Sequence, residues 1–64
     1  DYLFVEGLNG DAKITIYNSL GAKMFYKQTK NDKLYLSMLQ WSAGEYIVQI
    51  EEDAKVKSVK VVKR

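Results

Sequence analysis

Hydrophobic and polar residues alternate with a period of two along most of the chain, a pattern typical of half-buried β-strands. The alternation predicts six strands separated by short turns. We place them at residues 2–6, 12–18, 23–29 and 33–37, then from Ala43 or Gly44 to Glu51, and finally from Lys55 to Lys63. Residues 38–43 have no regular pattern and contain Trp41.

Short strands at this spacing predict an all-β fold, an Ig-like antiparallel β-sandwich of about six to seven short strands. Asn9-Gly10 predicts a type I′ hairpin turn between the first two strands, because both residues accept positive φ. Gly21 is expected to take a left-handed conformation in the next turn. The predicted core consists of Leu3, Val5, Ile14, Ile16, Met24, Tyr26, Leu34, Leu36, Tyr46, Val48, Ile50, Val59 and Val61.

The composition argues against catalysis and metal binding. The 64 residues are interpreted as one small domain, 1–64, and they include no cysteine and no histidine. Thiol chemistry is therefore excluded, and the usual metal ligand and general base are missing. The glycines and serines do not form a phosphate-binding loop or a nucleophile elbow. We predict no catalytic residue, no cofactor, no metal ligand and no enzymatic activity.

Charge is distributed unevenly along the chain. Residues 1–53 contain five basic and eight acidic side chains, whereas residues 54–64 contain five basic and no acidic ones. Such asymmetry is typical of a tail that meets a partner. Lysines on an edge strand can also serve only to prevent aggregation, and the charge pattern alone leaves both interpretations open.

Four blocks of sequence resemble the C-terminal sorting domains of the type IX (Por) secretion system of Bacteroidota, close to type A. Residues 1–7 are similar to the D-x-L-x-V-x-G piece that opens the domain, and residues 13–21 resemble its second block. Residues 43–50 look like the A-G-x-Y-x-V-x-I block, and residues 60–64 resemble the terminal block. The four blocks are collinear over essentially the whole chain.

The chain departs from the family pattern in two places. The Tyr-Pro-Asn-Pro segment that usually precedes the D-x-L strand is absent, so the domain is expected to lack its first edge strand. Trp41 and Ser42 also stand where the family commonly has Leu and Pro. This second difference concerns the geometry of residues 38–43.

The resemblance implies a non-catalytic C-terminal sorting signal. Such a domain directs its parent protein across the outer membrane, through the periplasm in transit and then to the cell surface or the medium. The implied partners are the outer-membrane shuttle and translocon proteins and a sortase-like protease. An open sheet edge is also expected to allow a homodimer or strand exchange.

A terminal strand at a sheet edge can accept a partner strand, and its side chains then provide specificity. The residues that we predict for partner recognition are Lys60, Val61, Val62, Lys63 and Arg64, with Gly44 and Tyr46 shaping the supporting strand.

Two other functions remain open from the sequence. One is a structural stalk or adhesion module of a surface protein, which would tolerate loss of the terminal charges. The other is a small nucleic-acid-binding barrel with aromatic side chains as a stacking platform. The acidic excess in residues 1–53 disfavours contact with phosphates, so no nucleic-acid partner is predicted.

Overall fold

A computed structural model describes residues 2–64. Asp1, the first residue of the opening D-x-L-x-V-x-G piece, lies outside the described residues. The six strands are β1 (Tyr2–Glu6), β2 (Ala12–Asn18), β3 (Lys23–Thr29), β4 (Lys33–Ser37), β5 (Gly44–Glu52) and β6 (Lys55–Lys63). The predicted all-β class is confirmed, and β5 extends one residue further than the alternation indicated.

Two antiparallel sheets pack together as a small Ig-like sandwich. One sheet has two strands in the order β1-β4, and the other has four in the order β3-β2-β5-β6. In the larger sheet β2 and β5 are central, so they carry the most hydrophobic inner faces. Strands β3 and β6 form its two edges, and the terminal strand is therefore an edge strand.

The hairpin predicted at Asn9-Gly10 is wrong. Strand β1 pairs with β4 in one sheet, whereas β2 pairs with β3 and β5 in the other. Residues 7–11 therefore cross between the sheets, and the buried Leu8 lies on this crossing with its N–H donating to the carbonyl of Asp32 at 3.0 Å. The Asn-Gly signal reports only a local backbone preference. Here β1 and β2 belong to different sheets, because their inner faces must meet across the core.

A two-residue turn with positive φ occurs instead between β5 and β6. Asp53 has a φ of 51° and Ala54 a φ of 62°, the left-handed conformations that a type I′ hairpin requires. For a residue with a Cβ such as Ala54 this conformation is unfavourable by about 1–2 kcal/mol. Next to the turn, a carboxylate oxygen of Glu52 accepts a hydrogen bond from the backbone N–H of Asn9.

The core lies between the inner faces of the two sheets. Cross-strand pairs Ile14–Ile50 and Ile16–Val48 occupy its centre, and both β2 isoleucines are fully buried. The predicted core residues that are buried are Ile14, Ile16, Leu34, Tyr46 and Val48. Those that are partly buried against the core are Leu3, Val5, Leu36, Ile50 and Val61.

Met24 and Tyr26 were wrongly predicted to face inward. The register of β2 and β3 shifts between Ile16 and Tyr17, which leaves Met24 as an extra residue on β3. Phe25 therefore pairs with Ile16 on the inner face, and Met24 and Tyr26 are exposed. The alternation could not resolve this choice because three large apolar residues follow one another on an edge strand.

Val59 was also wrongly predicted as a core residue, since 43% of its surface is exposed. It does face inward, opposite Val48. The covering sheet has only two strands, however, so the inner face of β6 is left beside an open groove of about 220 Å³ that Leu3 and Val5 also line. Buried residues that the sequence analysis did not include are Leu8, Ala12 and Met38.

Candidate functional site

The β5–β6 hairpin brings the predicted recognition residues together at one end of the sandwich. In this antiparallel pair Gly44 lies opposite Lys63, and Tyr46 lies opposite Val61. Directly opposite residues point to the same face of a sheet, so the pairing shows on which face each of residues 60–63 lies. Inner-face positions are Val61 and Lys63, and outer-face positions are Lys60 and Val62.

The outer face of this end is open to solvent. The Lys60 ammonium lies 3.7 Å from a carboxylate oxygen of Glu45, and both side chains are more than half exposed. An ion pair in such a position contributes little to stability. Val62 is likewise 53% exposed. Lys60 and Val62 are thus accessible to a partner that approaches β6 from outside.

Lys63 is placed differently from Lys60. Its side chain is half-buried, and its ammonium donates a hydrogen bond to the backbone carbonyl of Trp41 at 2.5 Å. Trp41 belongs to the segment between β4 and β5, and its own N–H donates to the Met38 carbonyl at 3.1 Å. The last residue of β6 is therefore joined to the irregular segment 38–43.

Tyr46 is the buried support of this end, with 4% of its surface exposed. Its ring lies 5.1 Å from the Trp41 ring, centroid to centroid, at a tilt of 37°. Its hydroxyl donates a hydrogen bond to the Ser42 carbonyl at 2.6 Å. One side chain therefore fills the core and also holds the backbone of segment 38–43.

Gly44 acts through its backbone. Its φ of 148° is one that residues with a side chain rarely adopt, although no atom lies within 4 Å of where a Cβ would stand. A substitution would consequently introduce backbone strain of about 1–3 kcal/mol, not a clash. This conformation directs the chain from segment 38–43 into β5.

Arg64 ends the described chain in an exposed position. An open groove of about 330 Å³ runs beside it and is lined by Tyr2, Met38 and the last four residues of the chain. The tail residues therefore border β1 and the end of β4 as well as β5. Their roles in recognition stay predictions.

Among residues 2–64, no three acidic side chains lie together in a way that could hold a metal ion. The same part of the chain contains no helix long and apolar enough to cross a membrane. What the arrangement offers is an edge strand with cationic and apolar side chains.

Sequence reasoning missed the contacts of segment 38–43 with the tail. Trp41 was singled out as an unusual residue, but neither its link to Lys63 nor the link of Ser42 to Tyr46 was expected. Both acceptors are backbone carbonyls, which every residue carries, so no sequence pattern signals them. A tryptophan in an irregular segment close to two strand ends was the available hint.

Comparison with known proteins identifies the family. No curated protein matches the chain. The sequence model described as "Secretion system C-terminal sorting domain" matches residues 1–64, the entire chain. Domains of this family are in general non-catalytic signals that lead to the cell surface or the medium. The protein therefore belongs to the family of type IX secretion C-terminal sorting domains.

Proposed function

We propose that this domain is a non-catalytic address that is read at the free edge of β6 and its terminal residues. The observation that most directly supports this proposal is that β6, the most basic strand, is an edge strand of the four-stranded sheet. Such a strand presents backbone donors and acceptors to which a partner can add a strand. Family membership supports the partner class, the type IX secretion machinery.

The finer parts of the proposal concern partners and route. An outer-membrane shuttle or translocon protein reads the folded domain in the periplasm, and a sortase-like protease acts on the parent protein at the cell surface. The exposed Lys60, Val62 and Arg64 support a partner with acidic groups beside an extended strand. Backbone pairing provides affinity in this scheme, and the cations select the partner.

The test is a secretion assay with matched charge variants. The domain is fused to the end of a periplasmic reporter in a bacterium that has a type IX system. We expect Lys60→Gln with Arg64→Gln to lower reporter at the surface and in the medium by about tenfold or more, because a hydrogen bond to a charged group contributes about 1.5–3 kcal/mol. Deletion of residues 60–64 should abolish export.

The control removes two lysines from the opposite edge of the same sheet, as Lys23→Gln with Lys27→Gln. This variant should be exported as well as the unmodified fusion. If lysines only protect sheet edges, the two variants will behave alike. Equal export of both would overturn the proposal in favour of a structural stalk or adhesion module.

A second proposal concerns the free edge of β1, and the occupant is a second copy of the chain. Among residues 2–64, strand β1 pairs only with β4 and carries no lysine, whereas β3, β4 and β6 all do. An unprotected edge favours pairing between copies. Sedimentation velocity should show dimers that increase with concentration and disappear in Phe4→Lys. A monomer at every concentration would contradict this proposal.

A further inference from the structure

Two lysines near the end of β6 have different surroundings. Lys60 points from the outer face towards an exposed carboxylate, that of Glu45. Lys63 points inward and donates to the carbonyl of Trp41. The two terminal lysines are therefore not equivalent. The side chain of Lys60 is accessible to a partner, whereas that of Lys63 is engaged inside the domain.

The engaged lysine is one of several contacts that hold segment 38–43. We call these contacts the end clamp: the bond from Lys63 to the Trp41 carbonyl, the bond from Tyr46 to the Ser42 carbonyl, and the contact of the Trp41 and Tyr46 rings. The clamp joins the terminal strand to a segment that lies 22 residues earlier in the chain. The C-terminal strand and this segment consequently form one continuous surface.

The position of Trp41 shapes a cleft at this end. Trp41 and Gln40 line an opening of about 260 Å³ together with Leu20 and Met24 from the β2–β3 end of the sheet. Leu20 is 91% exposed and Met24 is 41% exposed. A movement of segment 38–43 would therefore alter a cleft that includes these two exposed apolar side chains.

We infer that Lys63 is a positioning residue, which acts through segment 38–43 and not as a free charge for the partner. It holds Trp41 in place, so that the secretion machinery reads this segment together with the end of β6. The second half of this inference rests on the proposed function. The first half, the positioning of Trp41 by Lys63, does not.

The positioning can be measured on the purified domain because Trp41 is the only tryptophan of the sequence. In Lys63→Met the Trp41 emission should shift to longer wavelength. Exchange of the Trp41 backbone N–H should become about tenfold faster, the factor expected for the loss of a hydrogen bond to a charged group. Lys63→Arg keeps a cationic donor and should restore both values.

The matched control is Lys60→Met, which removes the same charge from the same strand three positions earlier. It should leave Trp41 emission and exchange unchanged. If Lys63→Met also leaves both unchanged, or if Lys60→Met alters them equally, the positioning role is overturned. Far-UV circular dichroism confirms that every variant compared is folded.

The role of the segment in recognition is tested by export of the same reporter fusion. Lys63→Met and Trp41→Ala should each lower export, Lys63→Arg should retain it, and the double variant should export no less than the weaker single one. Residues that act through one contact show such non-additivity. Unchanged export of Lys63→Met, with a shifted Trp41 emission, would overturn this half of the inference. Export insensitive to Lys60→Gln with Arg64→Gln would instead contradict the proposed function and leave the emission result standing.

Discussion

Replacing Ile16 by alanine is expected to unfold most of the domain at physiological temperature. Ile16 is fully buried and lies between Phe25 on β3 and Val48 on β5. Shortening a buried isoleucine to alanine destabilises by about 2–5 kcal/mol, because apolar contacts are lost and a cavity remains. A core of this size supplies only about 3–5 kcal/mol. Urea denaturation followed by far-UV circular dichroism measures the loss.

Two further variants serve as controls for the Ile16→Ala result. Ile16→Val removes one methylene group and should destabilise by about 0.5–1.5 kcal/mol. Leu20→Ala removes more apolar atoms than Ile16→Val does, but at a position that is 91% exposed. It should change stability by less than about 0.5 kcal/mol. If Ile16→Ala were as mild as Leu20→Ala, the two sheets would not be packed against each other at this position.

The strands were predictable because alternation and short polar turns act in the same direction over most of the chain. On β2 the inward Ile14 and Ile16 alternate with Lys13 and Thr15, and the structure places them accordingly. The central strands carried the clearest pattern since both of their neighbours and the covering sheet constrain them. Edge strands β3 and β6 gave the errors at Met24, Tyr26 and Val59.

Core residues outside the strands could not be found from alternation. Leu8 lies on the crossing between the sheets, and Met38 directly follows β4. Both are buried because a sandwich of a two-stranded and a four-stranded sheet leaves its ends to be filled by connecting segments. Period-two reasoning treats such segments as solvent-exposed turns, and it therefore leaves these residues out.

The candidate site was predictable in its backbone and not in its contacts. A short turn at residues 52–54 implied that residues near Gly44 would meet the end of β6, and the observed pair Gly44–Lys63 agrees with this. Which of the terminal lysines would be engaged depended on strand register and on the path of segment 38–43. The charge pattern alone therefore did not show which face of the sheet each lysine would occupy.

Replacing Tyr46 by alanine is expected to destabilise the domain by about 3–5 kcal/mol, as for other buried aromatic residues. The variant loses a core side chain, the contact with the Trp41 ring and the bond to the Ser42 carbonyl together. Thermal unfolding should show little cooperative transition above room temperature. A cooperative transition near that of the unmodified domain would contradict the central place given to this ring.

Tyr46→Phe separates the hydroxyl from the ring. It retains the core contacts and loses one hydrogen bond, so global stability should fall by only about 0.5–1.5 kcal/mol. The matched control is Ile16→Val, which has a similar expected effect on stability but keeps the Tyr46 hydroxyl and its bond to the Ser42 carbonyl. If the hydroxyl holds this segment, exchange of the Trp41 N–H will accelerate more in Tyr46→Phe than in Ile16→Val. Equal acceleration in both would mean that the segment opens only when the whole domain unfolds, and the end clamp would then have no stability of its own.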